Sequence, residues 1–261
     1  MNKRKSVSGT MLFALLVLAT PFLATAQQAD MKQKFAQAQK TNAAAQRRYT
    51  WMSRTELLLK GESKNVKVES VHYNNQGQLE KAVVESTPEQ DPGGGPLKQR
   101  IVKKKKAEFK ELMEGLGGLA QSYAHLTPEQ MQALAQSASI SQGQGEMQGS
   151  LRIQATNVVV QGDTMTLWVD PQTFLFRQVQ IDSVYEKKPM KLDVEFQGLP
   201  QGPTVSARVI LDYPEKKVRV LIENYDYKVL QAAAAGWQKN RRVETIVSGD
   251  VIGEQIGAAK P

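Results

Sequence analysis

The side chains that most often carry catalysis or bind metals are scarce in this 261-residue sequence. It contains no cysteine and only two histidines, His72 and His125, neither with a partner at metal-ligand spacing. Neither a Gly-x-Ser-x-Gly elbow nor a Ser-x-x-Lys motif occurs. Carboxylates are plentiful, and a pair that comes together only in the fold stays an open alternative. The sequence therefore predicts a protein that is not an enzyme and that uses no metal and no cofactor.

Two further stretches contain residue types that occur in phosphate-binding sites. The glycines of the Ser139–Ser150 connector lack the Lys-Ser/Thr pair of a phosphate loop, so no nucleotide site is expected there. Lys103–Lys106 is the one notable run of charge. It is typical of the solvated start of an amphipathic helix, and the alternative is contact with lipid phosphates or an acidic partner. Without residues 1–26 the formal net charge is 8 − 3 = +5, which is modest for the remaining length, and no nucleic-acid partner is expected.

Residues 1–26 are predicted to be a signal peptide. Basic residues at positions 3–5 precede the apolar run Met11–Leu23, and Ala24-Thr25-Ala26 supplies the small-x-small cleavage pattern. The run has 13 residues, whereas a membrane span needs about 20. We expect export with cleavage after Ala26, and no lipid anchor because an N-terminal cysteine is absent. Cleavage leaves 261 − 26 = 235 residues with a net charge of 8 − 3 = +5.

The chain between Asp163 and Leu230 has the pattern of an antiparallel meander, in which strands alternate with turns and no helix intervenes. The predicted strands are Thr164–Asp170, Phe174–Tyr185, Met190–Phe196, Thr204–Tyr213 and Lys217–Val229. Apolar and polar residues alternate strictly along them. Because strand side chains point to opposite faces with a period of two, the sheet should have one apolar face and one wet face.

The remaining sequence supplies more strands and a small number of helices. Further strands are predicted over Tyr49–Lys60, Asn65–Tyr73, Gln78–Glu85 and Leu151–Val160. Helices are predicted over Gln27–Arg48, over Lys98–Tyr123 and from Pro128 to Ser137, with Thr127 as N-cap. In the second helix, Gly115, Gly117 and Gly118 are expected to bend or end it. Pro88–Pro96 and Ser139–Ser150 are predicted connectors, and Gln231–Lys239 a short helical cap.

These elements predict an α+β fold in which a large curved antiparallel sheet is covered by a lid of two or three helices. The predicted organisation is a signal peptide (1–26), one domain (27–240) and a flexible tail (241–261).

The apolar face of this sheet either packs as a core against the helices or lines a cavity. About nine strands under so few helices favour a cavity. The candidate ligand-binding residues are Trp51, Leu57, Leu59, Met190, Leu192, Val194, Phe196, Val205, Val209, Val218, Val220 and Ile222. The candidate lid residues are Phe109, Leu112, Met113 and Leu116.

The segment Thr164–Ser183 (TMTLWVDPQTFLFRQVQIDS) resembles the periplasmic lipoprotein-carrier (LolA/LolB-like) superfamily, in its outer-membrane lipoprotein-sorting branch. The resemblance lies in Trp168, Asp170, Pro171 and Thr173, and in the order of helix, strands, helix pair and strands. It implies an unclosed β-barrel with a helical lid and an apolar cavity for acyl chains. It also implies an arginine that locks the lid, for which Arg54 is a candidate by type.

The function expected from this resemblance is that of a periplasmic carrier, which binds a lipid or lipoprotein acyl chain for transfer towards the outer membrane. Its partners would be a lipid or acylated protein, and an inner- or outer-membrane surface or membrane protein. The alternative is a sensor or scaffold of the same fold, filled by its own side chains, which binds another protein.

Overall fold

The structure, a computed structural model, describes residues 20–87, 96–230 and 244–245. The helices are α1 (Thr20–Gln46), α2 (Pro96–Ala124) and α3 (Pro128–Ser137). The strands are β1 (Tyr49–Leu59), β2 (Glu62–Tyr73), β3 (Leu79–Ser86), β4 (Ser139–Gln142), β5 (Leu151–Thr156), β6 (Thr164–Val169), β7 (Phe176–Tyr185), β8 (Lys188–Gly198), β9 (Thr204–Tyr213), β10 (Val218–Val229) and the two-residue β11 (Glu244–Thr245).

Strands β1–β10 form one antiparallel sheet, and β11 pairs with β3 at one of its edges. The order is β11-β3-β2-β1-β10-β9-β8-β7-β6-β5-β4. Over the described residues the two edges do not meet, so the sheet is not closed into a barrel. The predicted fold class is confirmed, as are the five strands of the meander, which are β6–β10. The long connection from β3 to β4 contains α2 and α3. The last long strand, β10, pairs with β1.

Tight turns with the expected chemistry set the register of these strands. Lys60-Gly61 and Glu186-Lys187 are two-residue loops in which both residues have positive φ, as type I′ hairpins require. Between β2 and β3, the Asn74 side-chain oxygen accepts hydrogen bonds from the N–H groups of Gln76 and Gln78, each at 2.9 Å.

Helix α3 matches its prediction. The Thr127 hydroxyl accepts from the Gln130 N–H, and the Gln130 side chain accepts from the Thr127 N–H, which completes a capping box. The expectation for α2 was wrong, because the helix continues through Gly115, Gly117 and Gly118 to Ala124. Its apolar stripe is buried against the sheet, and this burial outweighs the low helix propensity of glycine.

Two boundaries also differ from prediction. The Ser139–Ser150 connector contains strand β4, whose four residues are all exposed, and a short 3-10 helix at Gly145–Met147. An exposed edge strand has no alternating burial pattern to reveal it. Strand β5 ends at Thr156, before the predicted Val160, because Asn157 has positive φ and a turn follows.

Helix α1 begins at Thr20, before the predicted start at Gln27, so the predicted cleavage site lies within it. Most of the Pro88–Pro96 loop, the predicted cap Gln231–Lys239 and most of the tail lie outside the described residues. None of the described helices combines the length and the apolarity that crossing a membrane requires.

Candidate ligand-binding site

One face of the sheet, the inner face, carries the apolar residues of β5–β10 and the end of β1. Ten of the twelve candidate sheet residues belong to one apolar cluster or pack against it, and so do all four candidate lid residues. The buried ones are Leu57, Met113, Leu116, Met190, Leu192, Val218, Val220 and Ile222; the half-buried ones are Leu59, Phe109, Leu112, Val194, Phe196 and Val209. The alternation of the strands and the stripe of α2 thus bring these side chains together.

Trp51 and Val205 lie outside this cluster. The Trp51 ring stacks on Tyr227 at 5.7 Å and contacts Tyr73 at 5.8 Å. The Tyr227 hydroxyl donates to the Ser206 carbonyl, and burial raises the pKa of this tyrosine. Val205 is buried on β9.

Side chains of the protein itself fill the centre of the interior. Met113 and Leu116 of α2 and Met190 of β8 are each 0% exposed. Met165 of β6 is buried in the same cluster. Methionine is unbranched and adapts to irregular neighbours, so the interface between α2 and the sheet contains side chains that can be rearranged.

A hydrogen-bonded network joins the C-terminal end of α2 to the sheet. The Tyr123 hydroxyl donates to Asp163 at 2.8 Å and lies 2.7 Å from the Ser183 hydroxyl. All three residues are buried, and burial raises the pKa of Tyr123. The sequence placed Tyr123 at the end of the second predicted helix and Asp163 at the start of the meander, but no sequence signal brought them together.

The Asp163 carboxylate also forms the turn that precedes β6. It accepts hydrogen bonds from the N–H groups of Val158, Val159 and Val160 at 2.8–2.9 Å. Four donors around one buried carboxylate are enough to compensate its desolvation, so its role is structural.

The inner face is mixed on β1–β3, where polar and charged side chains are buried alongside Val71 and Leu79. Ser53, Thr55, Glu69 and Lys81 are buried there, and Lys67 forms an ion pair with Glu69 at 2.6 Å. Sequence analysis placed Ser53 and Thr55 on the face of Leu57, but it missed the charged residues. The signal was present in β2, where Lys67 and Glu69 alternate with Val66 and Val68. The apolar interior is thus bordered on one side by a part of the inner face that contains buried charged residues.

A separate cleft of about 640 Å³ lies beside α1, at the end of the sheet where β8 turns into β9. It is lined by Ala38, Thr41, Asn42, Ala45, Arg48, Tyr49, Thr173, Leu175, Gln201, Gly202, Pro203 and Val229. Amide side chains hold α1 in place: Asn42 exchanges two hydrogen bonds with the Thr204 backbone, and Gln39 donates to the Phe174 carbonyl. None of the candidate ligand-binding residues lines this cleft.

Aromatic rings connect the α1 end to the apolar cluster. Phe35 of α1 contacts Phe176 edge-on at 5.5 Å, and Phe176 contacts Phe196 at 5.5 Å. All three rings are half-buried and pack against the cluster. The predicted residue Phe196 therefore lies at the margin of the interior, between its filled centre and α1.

Asp170 of the Trp-x-Asp-Pro turn holds the β6–β7 connection. Its carboxylate accepts hydrogen bonds from the N–H groups of Gln172 and Thr173 at 3.0 Å and from Arg177 at 2.6 Å. Burial raises the pKa of Asp170, but these hydrogen bonds outweigh burial and hold it at about 2. The motif that carries the family resemblance is therefore a turn-forming element.

Arg54, the candidate for a lid-locking arginine, does not face the lid. It is paired across the sheet with Glu223, and its guanidinium contacts Glu56 at 2.8 Å. Its neighbours Ser53 and Thr55 point to the inner face, so Arg54 points to the outer one. In the part of the chain that the structure describes, no three acidic or histidine side chains are grouped as metal ligands.

Comparison with known proteins finds similarity in structure alone. No family model matches the chain, and no curated protein matches it in sequence. A DUF1329 family protein from Desulfovibrio piger is similar with 10% identity and a TM-score of 0.40, over 80% of this chain and 97% of that one.

Two other solved structures are similar to a comparable degree. One is a putative outer membrane lipoprotein-sorting protein domain from Vibrio parahaemolyticus, with 9% identity and a TM-score of 0.42 over 78% of this chain and 95% of that one. The other is a LolA superfamily protein from Nitrosomonas europaea, with 10% identity and a TM-score of 0.36 over 72% and 88%. Similarity at this level identifies no functional residue.

Proposed function

We propose that the protein is an exported periplasmic carrier that binds the acyl chain of a lipid or lipoprotein between the sheet and α2, for transfer towards the outer membrane. The observation that carries the proposal is the contact between α2 and the inner face. From Phe109 to Leu116 the helix meets the sheet through apolar side chains, among them Met113 opposite the methionine-containing interior. Such contacts are non-directional, so an acyl chain can replace them without leaving a polar group unpaired.

Binding would be non-covalent and driven by burial of the chain. Each methylene moved out of water contributes about 0.8 kcal/mol. The centre of the interior is filled in the described conformation, so α2 has to move away from the sheet to admit a ligand. The Tyr123–Asp163 hydrogen bond retains the C-terminal end of α2 while its middle moves.

The half-buried residues at the margin are the proposed point of entry. Val194, Phe196 and Val209 on the sheet and Phe109 and Leu112 on α2 pack against the cluster without being fully covered. A ligand that reaches them first could then displace Met113 and Leu116 progressively. This sequence of contacts keeps apolar surface covered at each step.

The second candidate is a sensor or scaffold that binds another protein. The observation in its favour is the complete burial of Met113, Leu116 and Met190, because an interior filled by its own side chains has no need of a ligand. The two functions differ in whether lipid stabilises the protein, since a ligand that binds only the folded state raises the unfolding temperature.

Native mass spectrometry of the mature protein, purified from the periplasm and followed by organic extraction, tests the proposal directly. A co-purifying acylated species is expected for a carrier. A ligand-free mass, with no thermal shift on adding phospholipid or acylated peptide, would favour the scaffold.

Val194→Asp gives a sharper test at one residue. A carboxylate at the margin of the apolar interior should abolish retention of the acyl ligand while export continues, because an acyl chain that covers the charge cannot compensate it. Val184→Asp makes the same change at a side chain of β7 that is 37% exposed, and it should retain ligand. Extraction of wild-type amounts of ligand from Val194→Asp would refute the assignment of this face.

A further inference from the structure

The first turns of α2 that the structure describes in full, residues 100–110, lie at the margin of the apolar interior, and among them Phe109 packs against it. Lys105 lies one turn before Phe109, on the helix face that is buried further along at Leu116. The Lys105 side chain is nevertheless exposed. Ile101, one turn earlier on that stripe, is 52% exposed. We call this stretch the basic end of α2.

The basic end carries a strong excess of positive charge. Residues 100–110 contain six basic side chains and one acidic side chain. The ion pair between Lys104 and Glu108 spans 3.8 Å between exposed side chains, so it contributes little.

We propose that the basic end of α2 binds the surface of an anionic phospholipid membrane. Successive lysines in Lys103–Lys106 are about 100° apart around the axis, so their ammonium groups surround the helix. Flexible point charges in this arrangement suit a diffuse plane of phosphates better than a single acidic groove. The exposed Ile101 side chain adds an apolar contact at the level of the headgroups.

This inference does not rest on the acyl-chain proposal. The charge and the exposure of the basic end are the same whether the interior takes a ligand or stays filled. Its test therefore uses the mature chain after removal of any lipid, and vesicles as the only binding partner.

The experiment measures co-sedimentation with vesicles of equal parts phosphatidylglycerol and phosphatidylcholine, at low and at high salt. The wild type should bind them, should release at high salt, and should not bind pure phosphatidylcholine. Lys103→Gln/Lys104→Gln/Lys105→Gln should lower the partition coefficient on the order of 100-fold, at roughly fivefold per lysine. Glutamine is a good helix former, so the helix is retained, which circular dichroism checks.

The matched control is Lys34→Gln/Lys40→Gln/Lys228→Gln, which removes the same charge from exposed positions on α1 and β10. Retention of binding in this variant together with its loss in the α2 variant supports a localised membrane site. Equal losses in the two variants would show a non-specific effect of net charge. That result, or a wild type that fails to sediment with anionic vesicles, would overturn the proposal.

Discussion

The Tyr123 hydroxyl holds the C-terminal end of α2 against the sheet, and its removal measures how much this contact stabilises the protein. Tyr123→Phe removes a donor from the buried Asp163 carboxylate and leaves the buried Ser183 hydroxyl without this partner. We expect the free energy of unfolding to fall by about 1–3 kcal/mol, because a buried polar group that loses its hydrogen bond retains its desolvation cost. Chemical denaturation of the variant measures this change.

Tyr225→Phe is the matched control for that substitution. The Tyr225 ring is 43% exposed, so removal of its hydroxyl should change stability by less than about 0.5 kcal/mol. Equal effects of the two substitutions would show that the Tyr123 network does not hold α2 in place.

Asp170 gives the turn between β6 and β7 a dependence on pH. Its folded pKa of about 2 lies below that of an unfolded aspartate, about 3.9, so between these values the unfolded chain binds more protons. The stabilisation is therefore complete above about pH 4 and is lost as pH falls towards 2. Because its partner Arg177 is partly exposed, we expect about 1–2 kcal/mol from this group.

Asp170→Asn should reproduce that loss at neutral pH. The difference in unfolding free energy between wild type and variant should be largest above about pH 4 and should narrow towards pH 2. Urea denaturation over this range measures it. A difference that stays constant with pH would show that the carboxylate charge contributes nothing to the turn.

At the level of elements, substitutions at two glycines of α2 distinguish the effect of helix propensity on stability from the effect of packing. A Cβ at Gly115 would lie 1.9 Å from the Tyr185 hydroxyl, whereas one at Gly118 would meet nothing within 4 Å. We expect Gly118→Ala to stabilise the protein by about 0.5–1 kcal/mol through propensity alone. Gly115→Ala should destabilise it, because the Tyr185 ring must leave the helix surface.

Thermal denaturation of the two alanine variants compares them in the same helix. The Tyr185 ring contacts Tyr213 edge-on at 5.9 Å, so its displacement also disturbs the ends of β7 and β9. If both variants were stabilised equally, the close approach of α2 to Tyr185 would not exist in solution.

The sequence was informative wherever a periodic pattern coincided with burial. It predicted β6–β10, the capping box of α3 and the residues that α2 and the sheet bring together. It failed for β4, whose residues are all exposed and so carry no alternation. It failed also for the inward-facing Glu69. Charged residues such as Lys67 and Glu69 at alternate positions of a strand have the pattern of a solvent-exposed face until the neighbouring strands are known.

The Tyr123–Asp163–Ser183 network lay beyond sequence reasoning for a different reason. Its members are separated by 40 and 60 residues and come from three elements, so only the fold brings them together. The same holds for the contact of Gly115 with Tyr185. The sequence indicated only that Gly115 disfavours the helix.

At the level of the whole molecule, the inner face is divided between an apolar part under α2 and a part on β1–β3 that also contains buried polar and charged residues. Helix α2 crosses the apolar part with one end hydrogen-bonded at Tyr123 and the other end exposed and basic. Its stability should therefore increase along its length, from the basic end towards Tyr123. A lid that is fixed at one end can admit a ligand without detaching from the sheet.

Amide hydrogen exchange tests this gradient and separates the two proposed functions. In the lipid-free protein, peptides covering residues 100–108 should exchange fastest and those covering 116–123 slowest, because protection follows burial and tertiary contact. Adding an acyl ligand should increase exchange in residues 109–116 as the ligand replaces their contacts, while residues 119–123 stay protected by the Tyr123 network.

The strands β8 and β9 serve as the internal control, because their backbone pairing is not altered by a ligand on the inner face. Uniform exchange along α2, unchanged by lipid, would mean that the helix is a fixed part of the core, and the scaffold would then be the better account of this fold.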